Sequence, residues 1–209
     1  EVSKPYYYSV YLADHDVTTE ITTTERAAHF QITFPENEKS SIVIDAFDKG
    51  SYIKIIPSEN KIIGYTTRNS GGVPQNFKNY FVLVFDKKFL TNSTWIDKVL
   101  TADKLDAEGN HVGAVIGFQT KKGEKVNVRV ASSFISPEQA ELNLKNELGT
   151  ATFEETVTQS KAEWNKVLGK IAVEDNNIDQ LRTFYSCLYR TVCFPQKQYE
   201  IDKDGKIVH

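Results

Sequence analysis

The sequence predicts a mainly β fold, an antiparallel sandwich, that hands over to helices near residue 136. Three observations carry this reading. Short runs up to residue 134 alternate or concentrate β-formers, turn residues separate them at hairpin spacing, and helix-capping signals begin at Ser136.

The first strand is read from Tyr6, Tyr8, Val10 and Leu12 alternating with Tyr7, Ser9, Tyr11 and Ala13. Asp14-His15-Asp16 then forms a turn before the β-branched run Val17–Thr24. Ala28, Phe30, Ile32 and Phe34 line one face of the next strand, which places His29, Gln31 and Thr33 on a polar face. Pro35-Glu36-Asn37 ends it. Further strands are predicted at Ser41–Ala46, Ser51–Ile56, Lys61–Thr67, Asn79–Phe85, Gly113–Gln119 and Lys125–Phe134. Between them lie Asp48-Lys49-Gly50, Ser58-Glu59-Asn60, Asn69-Ser70-Gly71-Gly72 and Lys122-Gly123.

Ser136-Pro137-Glu138-Gln139 supplies an N-cap serine, a proline at the first helical position and a capping-box glutamine. Ala140, Leu142, Leu144 and Leu148 continue that helix to Gly149. A second helix is predicted over Phe153–Leu168, closed by Gly169 and followed by a strand-like Lys170–Val173. Asp175-Asn176-Asn177 caps a third, in which Ile178, Leu181, Tyr185, Leu188 and Val192 recur at helical steps until Pro195. Gln198–Val208 reads as a hairpin around Asp204-Gly205.

Composition narrows the function. The chain has 209 residues, 40% apolar and 25% charged, with net charge −3. Its Lys and Arg are scattered among acids, which argues against nucleic-acid binding. No apolar run approaches the ~20 residues that span a bilayer. Glu1 at the start and the absence of Met predict a processed or excerpted piece of a longer protein. Cys187 and Cys193 lie six apart in one helix, ~9 Å along its axis, too far for a disulfide; two buried or half-buried free thiols are expected.

No residue set announces catalysis. Asp14-His15-Asp16 is the densest group of possible metal ligands, yet a polar turn explains it more simply. Asp202-Lys203-Asp204-Gly205 resembles the start of a calcium loop but lacks the ligand before the glycine and the closing glutamate. No nucleophile elbow accompanies His15, His29, His111 or His209, and no helix start follows Ser70-Gly71-Gly72. Trp95 and the tyrosine-rich first strand could stack on sugar, with aromatic packing as the simpler reading. Asn92-Ser93-Thr94 is a short glycosylation sequon of low specificity.

Several segments together resemble one family. "KPYYYSVYLADHDVTTEITTTERAAHFQITFP" is similar to the N-terminal sandwich of glycoside hydrolase family 92 α-mannosidases. "VRVASSFISPEQAELNLKNEL" resembles the passage from sandwich to linker helices, and "AEWNKVLGKIAVE" with "QLRTFYSCLYRTVCFPQKQYEID" the entry into the helical barrel. Gln196 departs from the arginine expected after the proline of that turn and is given no family role.

The resemblance implies a galactose-mutarotase-like supersandwich over 1–134, linker helices over 135–174, and over 175–209 the start of an (α/α) catalytic barrel. It implies a calcium-dependent, inverting exo-α-mannosidase, of α-1,2 preference, secreted or at the periplasm or cell surface of a bacterium. Its partners would be mannose-containing glycans and its own downstream barrel. Catalytic residues and Ca2+ ligands are then expected outside this chain, which alone would be inactive. The alternative is a free-standing carbohydrate-binding sandwich.

Overall fold

The computed structural model describes residues 1–193 and 197–209. Thirteen strands build the sandwich: β1 (Val2–Lys4), β2 (Tyr7–Leu12), β3 (Val17–Thr23), β4 (Ala27–Phe34), β5 (Asn37–Asp45), β6 (Ser51–Ile56), β7 (Lys61–Thr66), β8 (Asn79–Phe85), β9 (Thr91–Ile96), β10 (Val99–Ala102), β11 (Asp106–Gly109), β12 (Val112–Thr120) and β13 (Glu124–Ser133). Then come α1 (Pro137–Glu147), α2 (Phe153–Leu168), α3 (Ile178–Cys193) and a hairpin of β14 (Glu200–Ile201) and β15 (Ile207–Val208).

The large sheet has nine strands in the order β1-β2-β3-β4-β13-β8-β7-β6-β11, and the small sheet four in the order β10-β9-β12-β5. Every recorded pairing is antiparallel. Alternation sends every second side chain inward, so Ile53, Ile55, Ile62, Phe85 and Val126 of the large sheet meet Val112, Ala114, Ile116 and Phe118 of the small one. Each large aliphatic side chain removed from water there contributes about 1.5–3 kcal/mol.

A second apolar layer explains why β8 reads as an unbroken apolar run. Val82 and Ala131 point away from the main core and meet Ala140, in the first turn of α1, and Leu148, just beyond its end. The large sheet is thus covered on both faces here, whereas its inner face alone would need only alternation. Gly149, at φ 49°, ends this helix as expected, its N–H donating to the Leu144 carbonyl at 3.1 Å.

The structure corrects several expectations. His29 is 3% exposed, because α2 lies over the outer face of β3 and β4. Ser136 accepts from the Gln139 N–H as an N-cap should, but the Gln139 side chain turns away to Asn143 and Ile201. The reciprocal capping box forms instead at Thr152 and Glu155. Lys170–Val173 is not a strand, having no pairing partner among the described residues. Both cysteines are exposed, since α3 buries none of its residues. Strands β1, β9, β10 and β11 are not among the predicted strands; β11 in particular is Asp-Ala-Glu-Gly, extended because it pairs with β6. The helix stop at Pro195 and the departure at Gln196 lie outside the described residues.

Asn177 caps α3 as expected, accepting from the Asp179 N–H at 3.0 Å. The turn at Asp204-Gly205 also forms: Asp202 Oδ1 accepts from the N–H groups of Asp204 and Lys206, and β14 pairs with β15.

Candidate functional site

A buried set of chemistry-bearing groups converges where the β14 hairpin returns to the sandwich. Gln139 and Asn143 are four apart on α1 and so share a face, each 7% exposed. Gln139 Nε2 donates to Asn143 Oδ1 at 3.0 Å and to the Ile201 carbonyl at 2.7 Å. That fixes the Asn143 amide, whose Nδ2 donates to the Ser132 carbonyl at 2.9 Å and to Glu200 Oε2 at 2.8 Å. The other oxygen, Glu200 Oε1, accepts from the Phe134 N–H at 2.8 Å. Glu200 is 4% exposed.

A second set of contacts fastens the same segment beside it. Arg26 donates to the carbonyls of Lys197 and Tyr199, both at 2.9 Å, with its guanidinium 5.7 Å from the centre of the Phe134 ring. Lys197 reaches Glu25 at 2.6 Å, and that hydrogen bond raises the lysine above its ordinary value against the opposing effect of burial. Glu147 at the end of α1 accepts from the Arg26 N–H at 2.8 Å and the Thr24 hydroxyl at 2.5 Å. The turn from β3 to β4, the end of α1 and the segment 197–201 therefore form one polar clamp.

This arrangement joins the hairpin to α1 and to Phe134, just past β13. Both Glu200 oxygens are occupied by donors and shielded from solvent, so the carboxylate cannot present itself to a glycosidic oxygen or an attacking water. An inverting glycosidase needs two carboxyl groups about 6.5–9.5 Å apart facing a substrate. The clamp offers no such pair.

The residues singled out in the sequence are scattered. Asp14 and His15 lie in a 3-10 turn whose end, Asp16, accepts from Tyr11 Oη at 2.8 Å. Tyr7, in the aromatic first strand, packs edge-on to Phe153 of α2 and donates to Glu20 at 2.6 Å. Asn92 Oδ1 and Thr94 Oγ1 are buried, so the sequon points into the sandwich. The Asp202 carboxylate is used by its own turn. Among the described residues no group of three or more His, Cys, Asp or Glu side chains converges on a point where a metal could sit. The donor sets that calcium requires do not fit here.

Two further groups are shifted by their surroundings. Burial pushes the His29 imidazole below its ordinary value, helped by the Arg129 charge; its Nδ1 lies 3.3 Å from Thr156 Oγ1 and its ring packs edge-on to Phe153. Tyr65 donates to Glu108 at 2.6 Å, which with burial pushes its phenol up to about 12. It stacks with Tyr52 and meets Tyr80 edge-on.

The clamp itself was missed in the sequence. Gln139 and Asn143 at i, i+4 on a helix with an otherwise apolar face were a usable signal. Glu200 and Arg26 gave none, because their partners lie 57 to 173 residues away.

Comparison with known proteins supplies what this geometry lacks. Residues 1–133 match the glycosyl hydrolase family 92 N-terminal domain, and residues 139–208 match the family's catalytic domain. The inverting GH92 mannosidase BT2199 of Bacteroides thetaiotaomicron superposes with a TM-score of 0.96 at 39% identity, over 100% of this chain and 28% of that one. The GH92 α-mannosidase BT3965 of the same organism, solved with mannoimidazole, gives 0.82 at 30% identity, over 98% of this chain and 29% of its own. A protein of Arthroderma benhamiae described as an uncharacterized secreted glycosidase is 24% identical, over 93% of this chain and 28% of its length. The chain thus spans less than a third of the relatives it matches. No helix among the described residues is long and apolar enough to cross a membrane. The family models cover the sandwich and the first helices in the order the fold presents them, and the chain belongs to glycosyl hydrolase family 92.

Proposed function

We propose that the whole protein carrying this chain is an exported, inverting exo-α-mannosidase that removes terminal mannose, by preference α-1,2-linked, from glycans. The observation that supports this most is the 39% identity and TM-score of 0.96 to an inverting mannosidase across the full chain. This chain contributes the sandwich and the opening of the catalytic domain, and the clamp at Glu200 and Arg26 holds the two in register. Acid, base and calcium ligands belong to parts of the protein outside residues 1–209, and no step of the reaction runs through the groups described above. The match of residues 139–208 to a catalytic domain speaks against a free-standing sugar-binding module.

The 209-residue chain and the whole protein are to be compared on α-1,2-mannobiose, with and without a calcium chelator. Mannose release by the whole protein only, and its loss on chelation, is the expected result. Comparable release by the isolated chain would overturn the division of labour proposed here.

A further inference from the structure

We propose that the outer face of the small sheet is a sugar-binding shelf, seated on Trp95, that takes a mannose-bearing glycan chain. The proposal rests on the reading of the whole protein as a mannosidase.

Register places four residues in one row across the small sheet: Asp45 of β5, Gly113 of β12, Trp95 of β9 and Leu100 of β10. Their neighbours Ile44, Ala114 and Ile96 face the core, so this row faces outward. A Cβ at Gly113 would fall 2.0 Å from Trp95 Cζ2 and 2.1 Å from Cη2. The indole therefore leans across the sheet into the space that the missing side chain leaves, and only glycine admits it. That seats a large apolar ring against backbone, where it has little rotamer freedom left to lose on binding.

The surroundings specify the ligand. On the far side of Gly113, Asp45 Oδ1 lies 2.7 Å from His111 Nε2, and these side chains keep 46% and 36% of their surface exposed. Leu100 and Val43 are 60% and 61% exposed on the same face. An aromatic ring beside a half-exposed carboxylate–imidazole pair matches a pyranose, whose C–H face packs on the indole while its hydroxyls meet the imidazole and Asp45 Oδ2, Oδ1 already accepting from the Phe47 N–H at 2.7 Å. An apolar protein partner would instead strip water from the charged pair without replacing its hydrogen bonds. The helices α1 and α2 lie on the large sheet, so the shelf is on the opposite side of the sandwich from the linker. A mannan strand held there would stay near the enzyme between successive cleavages.

The test is electrophoresis of the whole protein through gels containing yeast α-mannan, with β-glucan gels as the comparison. The wild type should be retarded by mannan and not by β-glucan. Trp95→Ala should bind mannan about tenfold more weakly. Asp45→Ala, which leaves the indole seat intact, should weaken retardation as well, and this guards against a folding defect in the first variant. Both should release mannose from mannobiose within about twofold of wild type, so loss of the shelf is distinguishable from failure of the mannosidase reading. Retardation unchanged in both variants, equal retardation by β-glucan, or a concentration-dependent dimer abolished by Trp95→Ala would each overturn the proposal.

Discussion

Asn143 Nδ2 donates to Glu200 Oε2 at 2.8 Å, joining helix α1 to the hairpin that follows α3. Because Gln139 already occupies Asn143 Oδ1, the amide cannot flip to offer an acceptor. Phe134 N–H holds the other carboxylate oxygen. Only a side chain that accepts at both ends fits this slot, which makes the position specific for a carboxylate and not merely for a polar residue.

Glu200→Gln should therefore lower stability by about 1–3 kcal/mol, because an isosteric amide turns a donor toward a donor in a buried site. Urea unfolding of the chain, followed by fluorescence, measures it. Asn143→Ala should fall in the same range, and the double variant should cost less than the sum of the two, as for partners in one network.

His29 makes stability depend on pH. Its folded value lies below the unfolded one because burial disfavours the charged ring, so the unfolded chain binds the extra proton first. The sign follows: the His29 contribution is complete above the ordinary histidine value of about 6.5 and is lost as pH falls through that value toward the depressed one. Thermal unfolding between about pH 7.5 and about pH 5 should show wild type losing stability faster than His29→Gln. Parallel curves would contradict the assignment.

Gly64 of β7 has no room for a side chain. A Cβ there would stand 2.2 Å from the Tyr52 carbonyl oxygen and 2.5 Å from Phe81 Cζ. Since the first of these is backbone, Gly64→Ala should destabilise by about 1–3 kcal/mol, or more where the β6–β7 pairing cannot yield. Calorimetry of the variant decides it. Gly123→Ala is the contrast: nothing lies within 4 Å of its Cβ, and its cost comes from the backbone at φ 75°.

The Tyr65 phenol should ionise only at about 12. Ultraviolet titration of Glu108→Gln should move a single phenol down from about 12 toward the ordinary tyrosine value, because the hydrogen bond to that carboxylate is its largest cause. An unchanged titration would assign the effect to burial alone.

Much of the fold was legible because local signals and burial agreed. The Ser136 cap, the Gly149 stop, the Asn177 cap and the Gly205 turn are chemical necessities of their own backbones. Strands such as β4 and β13 carried enough apolar residues to be read alone. What escaped depended on partners. The β11 segment is extended through pairing with β6, and His29 is buried by a helix that begins more than a hundred residues later. The clamp lay beyond sequence reasoning for the same reason: nothing around Glu200 reveals that Phe134 and Asn143 will be its donors. The cysteines erred in the opposite direction: free thiols are ordinarily buried, and among the described residues no neighbouring element covers these two.

The proposal to be tested is that the whole protein carrying this chain is an inverting mannosidase. Proton NMR of the whole protein acting on α-1,2-mannobiose reads it, by the anomeric signal of the first mannose released. Inversion with a water-activating base predicts β-mannose first, with the α anomer growing in by mutarotation. Release of α-mannose first, or no release of mannose at all, would show that the protein is not an inverting mannosidase.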